Sequence, residues 1–95
     1  MTPEGLLKKE IKVWLVAHNW YFHMPVQCGY GEPTLDFICC VNGHFVVIEA
    51  KGPNGQLTAR QKRTIAEMEK AGAIVIVARG IEDIERMVNL IPMLQ

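Results

Sequence analysis

No Cys-x-x-C pair occurs anywhere in this chain. Its cysteines are Cys28, Cys39 and Cys40. A thiolate zinc site is therefore not expected, and reduced thiols in an intracellular compartment are the simplest reading. Net charge is missing as well: 10 Lys and Arg balance 10 Asp and Glu. That balance argues against a histone-like or tail-type polyanion binder and leaves room for a local basic face. The apolar runs are broken by charge well short of the ~20 residues that a membrane span needs. The start, Met1-Thr2-Pro3-Glu4-Gly5, lacks the basic and apolar regions of a secretion signal. Repeats, linkers and low-complexity stretches do not occur. With 49% hydrophobic and 21% charged residues in 95, one globular domain spanning 1–95 is expected.

What is present is a hairpin signal with acids at its open end. Leu35-Asp36-Phe37-Ile38-Cys39-Cys40-Val41 and Phe45-Val46-Val47-Ile48 are β-rich and apolar, and Asn42-Gly43 lies between them. A type I′ turn needs positive φ at both central residues, which suits this dipeptide. With that turn, Val41 faces His44, Phe37 faces Ile48, and Asp36 faces Glu49. Side chains alternate with period two, so Lys51 shares the face of Glu49. A slip of one residue would turn Asp36 to the other face. Like charges opposite each other destabilise a sheet, so a compensating cation is expected. At least one of the two carboxyls should titrate above its usual range. Oxygen ligands suit Mg²⁺ or Mn²⁺.

The remaining elements follow from caps and periodicity. Thr2 as N-cap and Pro3 at the first helical position open a helix to about His18, with Leu7, Ile11, Trp14 and Leu15 as its apolar stripe. Glu10 sits beside that stripe. Trp20 to Val26 reads as a strand and Gln27 to Thr34 as a loop, with Gly29-Tyr30-Gly31 inside it. Both hairpin faces are apolar, so cover on both sides is expected. Thr58-Ala59-Arg60-Gln61 fits a capping box, and its helix should end near Gly72. Ala73 to Ala78 reads as a short, fully buried strand. Ile81 to Leu90 is an amphipathic helix stopped by Pro92. The order is α-β-β-β-α-β-α.

An acid on one strand, an acid on the next and a lysine two residues later resembles the PD-(D/E)XK nuclease superfamily. The match is closest to its virus-type replication-repair nuclease group (VRR-NUC). It rests on Gly31-Glu32-Pro33-Thr34-Leu35-Asp36, Ile48-Glu49-Ala50-Lys51 and the helical Gln61. Leu35, where the superfamily name expects proline, is the departure. The resemblance implies a restriction-endonuclease-like α/β fold, with an α-β-β-β-α-β core and a mixed central sheet between helices. It implies a divalent metal, Mg²⁺ or Mn²⁺, on Asp36, Glu49 and the backbone carbonyl of Ala50. Lys51 becomes the motif lysine, Gln61 the glutamine of the following helix, and Glu10 the first-helix glutamate, a further metal ligand in this scheme. The implied activity is metal-dependent DNA cleavage leaving 5′-phosphate and 3′-hydroxyl ends, in a bacterial or phage-infected cytoplasm.

Read as residues alone, Glu10 is a solvated helix position and Gln61 a helix cap. Lys8, Lys9 and Lys12, or Arg60, Lys62 and Arg63, are available for phosphates. The apolar segment from Met87 to Leu94 offers a surface for a symmetric homodimer, which would suit branched substrates such as four-way junctions. The rival reading is a catalytically inactive module of the same fold that binds DNA or protein; another is an unrelated α/β scaffold.

Overall fold

A computed structural model describes residues 1–26 and 33–95. The Gly31-Glu32 part of the motif, Cys28 and Gly29-Tyr30-Gly31 lie outside the described residues. The elements are α1 (Pro3–Ala17), β1 (Tyr21–His23), β2 (Phe37–Val41), β3 (His44–Ala50), α2 (Ala59–Lys70), β4 (Ile74–Ala78) and α3 (Ile81–Leu90), then a 3-10 turn at Pro92–Leu94. They form one mixed sheet in the order β1-β2-β3-β4. The α2 crossover joins β3 to β4 in parallel, and the other neighbours are antiparallel.

Local chemistry sets most boundaries. Thr2 Oγ1 accepts the Gly5 N–H, and Pro3 begins the helix. At the other end Asn19 adopts φ 58°, Asn19 N–H donates to Val16 O, and Trp20 N–H donates to Leu15 O. This double closure satisfies the last carbonyls of α1 and reverses the chain into β1. The same pattern ends α2, where Gly72 has φ 105° and Ala73 N–H donates to Met68 O.

The expected hairpin register is present: Val41 pairs with His44 and Phe37 with Ile48. Asn42 and Gly43 both have positive φ, at 50° and 82°. Asn42 does more than turn the chain. Its Nδ2 donates to the carbonyls of Met93 and Gln95, both at 2.9 Å, fastening the C-terminal turn to the hairpin.

One sheet face carries Phe37, Cys39, Val46, Ile48, Ile76 and Ala78, buried against Leu7, Ile11, Leu15, Ile84 and Leu94. This is the core, under α1 and α3. The other face carries Val47, Glu49 and Lys51, beneath α2. Cover there stops short of the hairpin tip: Val47 is fully buried, whereas Phe45 is 48% exposed and Tyr21 77%.

Two expectations are corrected. β1 is three residues long, not the seven from Trp20 to Val26, because Trp20 closes the α1 cap and Pro25 has no N–H for a ladder. β4 is not fully buried: Ile76 and Ala78 are, but Ile74, Val75 and Val77 are partly exposed. It is an edge strand, and apolar composition does not reveal position within a sheet.

Candidate active site

Asp36 sits one rung beyond the Phe37–Ile48 pair and therefore opposite Glu49. Its position is held by its own backbone reach: Oδ2 accepts the Ala50 N–H at 2.9 Å. Lys51 N–H donates to Ala78 O on the β4 side, so by alternation Ala50 turns its N–H and C=O toward Asp36. The carboxylates of Asp36 and Glu49 and the backbone of Ala50 thus converge at one end of the central strands.

Glu49 is almost wholly enclosed, with its side chain 5% exposed. Burial, reinforced by the negative charge of Asp36, pushes its carboxyl up to about 7 despite the opposing pull of Lys51. The expected raised carboxyl is therefore Glu49. Its Oε2 accepts from Gln61 Nε2 at 2.9 Å and lies 3.5 Å from Lys51 Nζ. Gln61 has both roles allowed by the sequence. Its Oε1 accepts Thr58 N–H in the capping box, and its amide nitrogen reaches Glu49.

Lys51 is held as firmly as Glu49, 10% exposed. The turn after it lies on its stem: a Cβ on Gly55 would stand 3.4 Å from Lys51 Cδ. Arg79 Nη1 fastens that turn by donating to Gly52 O at 2.9 Å.

With 3.6 residues per turn, Glu10 is roughly 160° of arc from Lys8 around α1, on the flank that lines a groove with Leu6, Lys51, Gly52, Arg79 and Glu82; it therefore borders the site on the Lys51 side. The flank facing Asp36 carries Lys8 and Glu4 instead. Lys8 Nζ is 3.3 Å from Asp36 Oδ1 and 3.8 Å from Glu4 Oε2. From the sequence Lys8 is a candidate for phosphate and not a partner of Asp36, and Glu4 is not a candidate; the i, i+4 spacing of the two is a signal for their pairing, and none is present for the contact with Asp36. Among the described residues no three His, Cys, Asp or Glu side chains form a ready metal cage.

The donor set still fits a hard divalent cation. Two carboxylates and a carbonyl are oxygen ligands, and Mg²⁺ commonly takes one or two carboxylates and completes its shell with water and phosphate. Burial first, and the negative charge of Asp36 second, hold the Glu49 carboxyl above its ordinary range, and a cation bound between the two acids would oppose both effects.

No protein-family model and no curated protein matches the chain. A solved structure described as a VRR_NUC domain is similar to it, with TM-score 0.78 and 21% identity, covering 94% of this chain and 97% of that one. The chain shares the fold of that VRR_NUC domain, a mixed four-stranded sheet with helices.

Proposed function

We propose that this protein is a divalent-metal-dependent endodeoxyribonuclease. The observation that carries the reading is the meeting of Asp36, Glu49 and Lys51 with the Ala50 backbone on a VRR_NUC fold. Asp36 and Glu49 would hold Mg²⁺ or Mn²⁺ with the Ala50 carbonyl. Bound there, the cation supplies a water of lowered pKa and offsets the charge that grows on the phosphate. Gln61 fixes the rotamer of Glu49 through its amide. Lys51 would place an ammonium beside the scissile phosphate, to orient or deprotonate the attacking water or to balance the growing charge. Glu10, which lines a groove with Lys51, keeps the place that the family resemblance gives it as a further metal ligand.

The expected result is cleavage of DNA with Mg²⁺ or Mn²⁺ and none in excess chelator, read on a panel of linear, flap and four-way-junction substrates. Undiminished cleavage in chelator would refute the metal reading. Binding without cleavage under every metal would leave the inactive DNA-binding module as the better account.

Branched DNA, four-way junctions included, is the proposed substrate class, in replication, repair or recombination. One small domain offers one site, and cutting two strands of a symmetric substrate calls for two. The Met87–Leu94 segment divides between two uses. Leu94 is buried in the core, while Leu90 and Met93 stay 69% and 54% exposed, a modest surface for a second copy. Light scattering at tens of micromolar should therefore give the mass of two chains; a monomer's mass refutes the dimer. No helix among the described residues is long and apolar enough to cross a membrane.

A further inference from the structure

The nuclease reading gives Lys8 no more than a general availability for phosphate, and its contact with Asp36 is outside that role. Its ammonium stands 3.3 Å from Asp36 Oδ1, while Oδ2 of the same carboxylate is taken by the Ala50 N–H. Lys8 thus covers the oxygen that a cation between Asp36 and Glu49 would use. The two lysines of the site differ in freedom. Lys51 is enclosed, with its stem under Gly55. Lys8 is 34% exposed, on a helix flank, with a weaker second partner in Glu4 among the described residues. An ammonium on a flexible four-carbon stem reorients readily. A divalent ion at Oδ1 would repel it and outcompete it for Asp36, by twice the charge.

We propose, resting on the nuclease reading, that Lys8 is a metal-released phosphate contact. In the metal-free protein it neutralises Asp36. When a divalent cation takes that carboxylate, the ammonium swings outward and pairs with a phosphate of the bound nucleic acid. Metal and DNA affinity are then linked reciprocally: metal frees the charge that DNA uses, and a phosphate draws Lys8 off the oxygen that metal uses.

The test uses the full chain and Lys8→Met, which keeps most of the stem and removes the charge, with Lys8→Arg as the charged control. Mn²⁺ binding without DNA is followed by electron paramagnetic resonance of the free ion. Lys8→Met should bind Mn²⁺ about five-fold more tightly, at the low end of ordinary site coupling. Binding to labelled junction DNA is then measured against salt, in Ca²⁺ with the DNA verified intact, and in chelator. In Ca²⁺, Lys8→Met should lower the slope of log Kd against log salt by about one, as for one lost phosphate contact. In chelator the slope should not change, because Lys8 is then held by Asp36. Lys8→Arg should keep the wild-type slope in both conditions. Unchanged or weaker Mn²⁺ binding by Lys8→Met overturns the proposal. So does a slope lowered equally in both conditions, which marks a constant phosphate contact, or in neither, which marks a surface ion pair only. A wild type that binds no Mn²⁺ refutes the nuclease reading itself, a result distinct from these.

Discussion

Asp36→Asn is expected to abolish DNA cleavage while leaving the metal-free protein at least as stable as the wild type. The amide keeps the shape, and its oxygen can still accept the Ala50 N–H that now reaches Oδ2. What disappears is the charge. Losing it removes the ion pair with Lys8, a partly exposed pair worth only about 0–1 kcal/mol. It also removes repulsion of Glu49 across the rung, worth up to about 1 kcal/mol for a cross-strand pair. The two effects nearly cancel, with a small gain where relief of Glu49 dominates. Metal binding is where the variant should suffer. Mg²⁺ should raise the melting temperature of the wild type by mass action and raise that of Asp36→Asn much less. Thermal unfolding with and without chelator, beside a cleavage assay, measures all of this. A variant that unfolds without metal, or that cuts at the wild-type rate, refutes the role given to Asp36.

Stability of the metal-free protein should fall as pH rises between about 4.5 and 7, the ordinary and the folded values for Glu49. The sign follows from proton binding. The folded chain holds its Glu49 proton up to about pH 7, whereas the unfolded chain releases it near 4.5. The contribution of the neutral carboxyl is therefore complete below the lower value and is lost as pH rises through the upper one. Each pH unit inside the window costs at most about 1.4 kcal/mol. Glu49→Gln, which cannot ionise, should flatten this slope, and the difference between the two proteins isolates Glu49 from other titrating groups. Denaturant unfolding in chelator at pH 5, 6 and 7.5 reads the effect. An equal slope in both proteins would refute it. Asp36→Asn should shallow the same slope, since the Asp36 charge is the second cause of the Glu49 shift. Burial, the first cause, remains in that variant.

The parts of this fold set by neighbours in the chain were legible in the sequence. Asn42-Gly43 names its turn, and period-two alternation from that turn puts Asp36 on the face of Glu49 and Lys51. Thr2, Thr58, Gly72 and Pro92 marked helix ends because caps are local hydrogen bonds and φ restrictions. The stripe Leu7, Ile11, Trp14 and Leu15 was legible from its 3.6-residue period. Gln61 was readable both as a cap and, through the resemblance, as a site residue; its contact with Glu49 needed the packing of α2 on the sheet.

Only the tertiary structure decided which flank of α1 meets the carboxylates. Periodicity gives α1 a buried stripe with two flanks and does not say what either flank meets. The packing of α1 brings Lys8 to Asp36, with Glu4 beside Lys8, and sets Glu10 in a groove with Lys51 on the other flank. The same holds for the Arg79 bond to Gly52, 27 residues away, and for the grip of Asn42 on the last turn, 51 and 53 residues away. A period is a property of consecutive residues, so it survives in one dimension. The approach of two elements is set by how their buried side chains fill the space between them, and no window along the chain contains both.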